Sequence, residues 1–99
     1  MTEVGAGGVV ITRWHKLKRF HRDYEKLTLQ QRDLVDQKLQ DLSKNPFPPG
    51  LRFEKLKGYS DPDIYSIHID GNYKATMEIN GSAASLRRVG THDDIDRAP

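Results

Sequence analysis

The residues best suited to acid–base chemistry lie in the second half of the chain, on or beside segments that alternate like β-strands. His92 follows the last of these segments, His68 and Lys74 lie within two earlier ones, and Glu54 lies in a weaker candidate. Histidine can give or take a proton near neutral pH because its ordinary pKa is about 6.5. A histidine fixed at a strand end, near a cation and a carboxylate, is therefore a candidate for proton transfer.

A carboxylate, a cation and one or two imidazoles are enough to cleave an RNA phosphodiester without a metal. A base removes the proton of the 2′-hydroxyl, a cation stabilises the crowded phosphorane, and an acid protonates the departing 5′-oxygen. Each proton transfer typically contributes about 10²–10⁴ in rate. Spacing alone leaves the ordinary alternative open, in which a strand histidine is simply solvated or hydrogen-bonded.

The acidic run after His92 allows a second interpretation, a divalent-metal site. Carboxylate oxygens and an imidazole nitrogen are common ligands, and the run supplies Asp93, Asp94 and Asp96. No second pair of acidic or histidine residues at helical spacing accompanies them. We therefore favour a helix start, with Asp93 or Asp94 as the N-cap and Asp96 near Arg97, and we predict neither a metal nor a cofactor.

Length and composition limit the class of protein. A chain of 99 residues predicts one domain, here residues 9–99 after a flexible, glycine-rich tail at 1–8. The absence of cysteine excludes disulfides and thiolate zinc sites, and it fits a reducing cytoplasm. No apolar run approaches the roughly 20 residues that span a bilayer, and no signal-peptide pattern is present. The expected location is the cytoplasm, away from membranes.

The net charge of +2 says little about partners, but the basic excess lies in the first half of the chain. Lys16, Lys18, Arg19 and Arg22 crowd together there. A solvated helix face is the favoured interpretation, and a phosphate-binding patch is the alternative.

Apolar spacing predicts a short strand at Val9–Thr12 and then two helices that serve as scaffold. The first helix places its apolar residues three and four positions apart; these are Leu17, Phe20, Tyr24 and Leu27. The second begins at Thr28, which forms a capping-box pattern with Gln31. Its apolar stripe consists of Leu34, Val35, Leu39 and Leu42. A proline-rich linker, Asn45–Gly50, ends this half.

Four strand candidates follow the linker. They are Arg52–Leu56, Ile64–Ile69, Tyr73–Ile79 and Ser85–Thr91. Asp70-Gly71 and Asn80-Gly81 predict tight hairpin turns. If the Tyr73 and Met77 face packs on the helices, the opposite face carries Lys74 and His68. Leu86 and Val89 fall on opposite faces of the last strand.

The predicted fold class is therefore α+β. A short N-terminal strand and a two-helix hairpin pack on a mostly antiparallel sheet of four to five strands.

Several phrases, taken in order, resemble the RelE/ParE superfamily of type II toxin–antitoxin toxins. They are Leu42-Ser43-Lys44-Asn45-Pro46, Leu51-Arg52-Phe53-Glu54-Lys55-Leu56-Lys57-Gly58, Ile64-Tyr65-Ser66-Ile67-His68-Ile69, Asn72-Tyr73-Lys74 and the stretch from Val89 to Arg97. The resemblance spans nearly the whole chain from about Val9. It implies a RelE-like fold, a cognate antitoxin as partner and, in the RelE, YoeB and HigB branches, metal-free cleavage of messenger RNA on the ribosome.

Carried over by position, the resemblance implies a catalytic set of His92 as general acid, Glu54 as general base and Lys74 as the phosphate-stabilising cation. It also implies that RNA or the ribosome contacts a group of basic residues, namely Lys55, Lys57, His68, Arg87 and Arg88. The chain departs from the pattern in three ways. Lys74 stands where many members carry arginine, and His68 occupies a strand position often held by lysine or arginine. The tail after Arg97 offers no late tyrosine.

These departures leave two alternatives open. One is a ParE-like inhibitor of DNA gyrase, which is a binding function without RNA chemistry. The other is a RelE-fold interaction module that has lost its activity.

Overall fold

The computed structural model describes residues 11–44, 50–59 and 62–99, which form a five-stranded sheet and three helices. The strands are β1 (Arg13–Lys16), β2 (Glu54–Lys55), β3 (Ile64–His68), β4 (Tyr73–Asn80) and β5 (Ala83–Thr91). The helices are α1 (Lys18–Glu25), α2 (Leu29–Leu42) and α3 (His92–Arg97). The strand order is β1-β5-β4-β3-β2, and only β1 and β5 pair in parallel. The predicted α+β class with a mostly antiparallel sheet is confirmed.

The capping box predicted for the second helix is present. The Thr28 hydroxyl accepts from the Gln31 N–H at 3.1 Å, and the Gln31 side chain accepts from the Thr28 N–H at 3.0 Å. These two bonds satisfy amides of the first turn that no helical carbonyl can reach. Two side chains of this helix, Val35 and Leu42, are fully buried in the core. The prediction for Leu17 is wrong: it precedes α1 and is 40% exposed, because its N–H bonds to the Leu86 carbonyl at the strand–helix junction.

The first strand begins later than predicted. The apolar run predicted a strand at Val9–Thr12, but ladder pairing with β5 runs over Arg13–Lys16. Pairing starts there because the N–H groups of Thr12 and Arg13 both donate to the Ser82 carbonyl, at the turn that precedes β5. Ile11 is buried. The apolar pattern therefore indicated a buried residue correctly, but it did not indicate which residues pair with β5. Val9 and Val10, the predicted tail at 1–8 and positions 45–49 of the predicted linker lie outside the described residues.

A bulge on β5 resolves the conflict between Leu86 and Val89. Met77 pairs with Leu86 whereas Thr76 pairs with Arg88, so Arg87 is an extra residue in the ladder. One extra residue shifts the alternation of side chains by one position. Val89, three residues after Leu86, therefore lies on the same face of the strand as Leu86. Leu86 and Val89 are consequently both 1% exposed in the core.

The two predicted hairpin turns are present. Asn80 pairs with Ala83, which leaves a two-residue turn in which Gly81 takes a φ of 62°. Such a turn needs positive φ, which glycine adopts without steric cost. At the other turn, the Asp70 carboxylate accepts from the main-chain N–H of Asn72 and of Tyr73 at 2.8 and 2.9 Å. The Asp70 side chain thus provides a hydrogen-bond acceptor for two main-chain N–H groups of the turn.

Helix α3 packs on the sheet face opposite the main core. Lys74 pairs with Gly90, so the two share a face, and the side chain of fully buried Ile95 lies against Gly90. The N-cap is Thr91, whose hydroxyl accepts from the Asp94 N–H at 3.3 Å. The prediction that Asp93 or Asp94 caps this helix is therefore wrong. Both instead occupy its first turn, where carboxylates favour the positive end of the helix dipole.

A buried ion pair ties α1 to β5. The Arg88 guanidinium donates to both oxygens of Asp23 at 2.8 and 3.1 Å, and the Val89 N–H also donates to Asp23. The Arg88 and Asp23 side chains are only 16% and 11% exposed. The hydrogen bond to Asp23 raises the pKa of Arg88, so the pair stays charged and holds the helix in place.

No helix among the described residues is long and apolar enough to cross a membrane.

Candidate functional site

Strand register places the predicted site residues on a single face of the sheet. Lys74 on β4 pairs with His68 on β3, and Glu54 on β2 pairs with Ser66 on β3. Paired residues share a face, and so do residues two apart in a strand such as Ser66 and His68. Glu54, His68 and Lys74 therefore project from the same side, which is the side on which α3 packs.

The turn from β5 into α3 brings His92 to this face. Its main-chain N–H donates to the Asn72 carbonyl at 2.9 Å, which fixes the start of the helix beside the β3–β4 turn. The His92 and His68 rings meet edge to face with centroids 5.0 Å apart. Together the three strands and α3 enclose what we call the His92 groove. It is lined by Arg52, Glu54, Ser66, Ile67, His68, Lys74 and His92.

The cation of this groove already has a partner. The Lys74 ammonium lies 2.7 Å from an Asp96 carboxylate oxygen on α3. The Lys74 side chain is 16% exposed, whereas that of Asp96 is 62% exposed. An ion pair with one well-solvated member contributes about 0–1 kcal/mol, so a substrate phosphate can compete with Asp96 for the lysine.

The two imidazoles differ in their surroundings. Burial lowers the pKa of His68, and the nearby charges of His92, Arg52 and Lys74 lower it further against the opposing effect of Asp70. The Nε2 atom of His92 is buried and has no hydrogen-bond partner within the described part of the chain. An unsatisfied buried polar atom costs about 1–3 kcal/mol.

Comparison with known proteins gives a consistent answer at the level of structure. No protein-family model matches the chain, and no curated protein matches its sequence. Solved structures do match. A copper-bound mutant toxin from Helicobacter pylori superposes with a TM-score of 0.71, at 23% identity over 86% of this chain and 99% of that one. A chain of the RelB–RelE antitoxin–toxin complex from Methanococcus jannaschii gives a TM-score of 0.64, at 25% identity over 86% and 99%.

A chain of the toxin–antitoxin complex RelBE2 from Mycobacterium tuberculosis matches with a TM-score of 0.66, at 21% identity over 87% of this chain and 97% of that one. These three matches each cover 86% or 87% of this chain. The chain has the RelE toxin fold. The resemblance predicted from the sequence phrases is confirmed at this level.

Within this RelE fold, the basic residues predicted to contact RNA lie in different places. Lys55 is on the edge strand β2 and pairs with Asp63 at 3.4 Å, and Lys57 is exposed in the turn that follows. Arg87 pairs with Glu78 and also donates to the main-chain oxygen of Pro99. None of these three lines the His92 groove, whereas His68 does. Arg88 forms the buried pair with Asp23, and its contact with RNA stays a prediction.

Two charged residues of this region were absent from the predicted site: Arg52, which lines the His92 groove, and Asp96, which pairs with Lys74 beside it. Arg52 lies two positions before Glu54, and strand alternation gave a signal that the two share a face. The structure adds a left-handed backbone at Arg52, with a φ of 51°, which is strained for a residue other than glycine. Asp96 was expected near Arg97, but it pairs with Lys74 instead. Only the packing of α3 on the sheet could reveal that contact.

The acidic run does not converge into a metal-binding group. In residues 11–44, 50–59 and 62–99, no three histidine, aspartate or glutamate side chains lie close enough together to hold an ion. Asp96 pairs with Lys74, whereas Asp93 and Asp94 lie in the first turn of α3.

The lowered pKa of His68 predicts a pH dependence of stability for this RelE-type chain. The unfolded His68 takes up a proton below about pH 6.5, whereas the folded residue resists protonation until lower pH. The free energy of unfolding should therefore fall as the pH drops below about 6.5, until the folded pKa is passed. His68→Gln should lose less stability than the parent between pH 7 and 5 in urea titrations.

The matched control for that measurement is His21→Gln, because His21 is exposed on α1. It should keep the pH profile of the parent. Titration of the His68 ring by NMR gives the direct check. A midpoint at or above 6.5 in the folded chain would contradict the argument.

Proposed function

We propose that this chain is the toxin of a type II toxin–antitoxin system and acts as a metal-independent, ribosome-dependent messenger RNA endonuclease. The observation that carries the proposal is the His92 groove, in which an imidazole, a cation and a carboxylate meet on one face of a RelE fold. The groove is open and polar, as a site for a nucleic acid strand must be. The expected place of action is the cytoplasm.

The proposed chemistry uses three side chains in separate roles. Glu54 removes the proton of the 2′-hydroxyl, whose oxygen then attacks the adjacent phosphorus. Lys74 exchanges Asp96 for the phosphate and stabilises the added negative charge. The bond from phosphorus to the 5′-oxygen breaks, and His92, which lines the groove, gives that oxygen a proton. The products are a 2′,3′-cyclic phosphate and a free 5′-hydroxyl.

His68 supports this arrangement without carrying charge. Because its pKa is lowered, His68 is neutral near pH 7 and has a lone pair available beside the His92 ring. It can accept a hydrogen bond from a ribose hydroxyl of the substrate. Arg52 is an exposed cation at the rim of the same groove, where it can meet a neighbouring phosphate.

We extend the proposal to a cognate antitoxin as partner. The M. jannaschii and M. tuberculosis structures that share this fold are toxin–antitoxin complexes. A protein that blocks the His92 groove or distorts α3 would suppress the chemistry proposed above.

The test is to induce the chain in bacterial cells and map transcript ends genome-wide. We expect arrested translation and new 5′-hydroxyl ends inside coding regions, which should form only on messages that are being translated. A DNA-damage response with intact transcripts would replace the proposal with gyrase inhibition. Unchanged growth at high expression would instead favour an inactive interaction module.

A further inference from the structure

A second groove lies between the same two walls as the His92 groove. One wall is the C-terminal segment, from His92 in the first groove to Pro99 in the second, and the other runs from Arg52 to Tyr59. Strand β3 connects them along the floor, with His68 at one end and Ile64 at the other. We call it the Arg97 groove; its lining residues include Arg19, Tyr59, Ile64, Arg87 and Arg97.

The Arg97 groove carries positive charge that the fold leaves free. The exposed side chains of Arg19 on α1 and Arg97 on α3 have no ion pair with any residue the structure describes. Arg87 differs, because it is held by Glu78 and by the Pro99 main-chain oxygen. Among the residues that the structure describes, no aspartate or glutamate lines this groove. Two unpaired guanidinium groups from separate elements thus converge on one concave surface, and guanidinium binds phosphate in a bidentate manner.

Tyr59 adds an aromatic surface to these charges. It is 39% exposed, which makes it one of three large hydrophobic residues that are exposed among the described positions. A base can stack on such a ring whatever its sequence, and this combination of basic groove and aromatic platform is typical of sites for single strands.

We propose that the Arg97 groove binds the RNA strand two to four nucleotides away from the cleaved linkage, with phosphates on Arg19 and Arg97 and a base on Tyr59. The proposal rests on the function proposed for the His92 groove. Four residues of β3 separate the two grooves, or about 13 Å at 3.3 Å per residue. A stacked strand advances about 3.4 Å per nucleotide and an extended strand up to about twice that, which gives the stated spacing.

The test measures binding of single-stranded oligoribonucleotides of three to nine nucleotides by fluorescence anisotropy, with 2′-O-methyl groups to prevent cleavage. The parent should bind nonamers more tightly than trinucleotides, because only the longer strands reach both grooves. The double variant Arg19→Ala and Arg97→Ala should lose about tenfold or more of nonamer affinity. Its slope of log affinity against log salt should fall by about 1.4, since each released phosphate contact contributes about 0.7.

Trinucleotide binding should be unchanged in this double variant and weakened by Lys74→Ala. Tyr59→Ala should weaken nonamer binding by about tenfold with an unchanged salt slope, because it removes stacking and no charge. Arg22→Ala is the matched control: Arg22 is an exposed arginine on α1 that does not line the groove, and its loss should leave both affinities as in the parent.

The outcomes distinguish a failure of this inference from a failure of the function proposed for the His92 groove. Nonamer affinity that stays at the parent value in the double variant, while trinucleotides still depend on Lys74, overturns this inference and keeps the proposed function. Loss of all oligoribonucleotide binding from the parent itself counts against the proposed function. An acidic peptide is tested as the competing kind of ligand. If the double variant binds nonamers as tightly as the parent but no longer binds an acidic peptide that the parent binds, the groove binds a protein partner and the RNA assignment is wrong.

Discussion

Replacing His92 with alanine should slow cleavage of messenger RNA by about 10²–10⁴-fold, the usual contribution of one positioned proton transfer. The geometry gives the reason. His92 lines the same groove as Lys74 and Glu54, and its ring lies edge to face with His68 at 5.0 Å. In the alanine variant, which lacks this ring, the leaving 5′-oxygen would have to take its proton from water. The rate is measured with purified ribosomes and a defined message, under single-turnover conditions.

The alanine variant should keep its fold, which makes the loss interpretable. The main-chain N–H of position 92 holds the Asn72 carbonyl whatever the side chain, and Thr91 still caps α3. Alanine is also the best helix former. His92→Gln should be as slow as the alanine variant, because an amide can hydrogen-bond but cannot act as an acid near pH 7. His21→Ala, at an exposed position of α1, is the control and should cleave at the parent rate.

Near-normal cleavage by the two His92 variants, with unchanged melting temperatures, would remove His92 from the mechanism. The general acid would then have to be sought among the other residues of the groove, where Lys74 carries a proton that it can donate. Growth assays give an independent readout, because the slow variants should no longer arrest growth when expressed at the parent level.

Strand alternation predicted the face of the site correctly because that signal is local. In β4, Ala75 and Met77 are fully buried in the core, while Lys74, the residue before Ala75, lies on the opposite face with α3, as a period of two requires. The Asn80-Gly81 turn then sets the β4–β5 register, since a two-residue turn allows only one pairing. The β3–β4 turn, which the Asp70 side chain holds, likewise makes Lys74 and His68 neighbours.

The remaining features depend on contacts that no local pattern encodes. The bulge at Arg87 inverts the alternation of β5, so Leu86 and Val89 were assigned to opposite faces although both are buried. The pair between Asp23 and Arg88 joins residues 65 positions apart. A charge pattern shows that both residues exist, but only the packing of α1 on β5 shows that they meet.

Helix α3 is the clearest case of this limit. Its six residues carry one apolar side chain, Ile95, so they give almost no periodic signal. Yet this short helix supplies His92, the Asp96 partner of Lys74 and the Arg97 side chain. The site therefore follows from an element that is stabilised by the sheet and not by its own sequence, which agrees with the marginal stability of isolated short helices.

Lys74 and Asp96 should show effects of opposite sign on RNA cleavage. Lys74→Ala should lower kcat/KM by about 10²–10³-fold, the range found when one preorganised donor to the transition state is removed. Asp96→Asn should raise kcat/KM by up to about fivefold, because the substrate no longer has to displace a partner that contributes about 0–1 kcal/mol. Both values come from the same ribosome-based assay at substrate concentrations well below KM.

The opposite signs are what distinguish a competitor from a structural support. If the ion pair served mainly to anchor α3 against β4, both substitutions would displace His92 and both would lower the rate. Lys74→Arg provides the rescue, since its planar fork can hold a phosphate in bidentate fashion and should retain most of the activity. Asp93→Asn is the matched control: Asp93 is an exposed carboxylate of α3 with no pair to Lys74, so its neutralisation should leave the rate unchanged. A fall in rate with Asp96→Asn would show that Asp96 positions α3, and the model of exchange between carboxylate and phosphate at Lys74 would have to be abandoned.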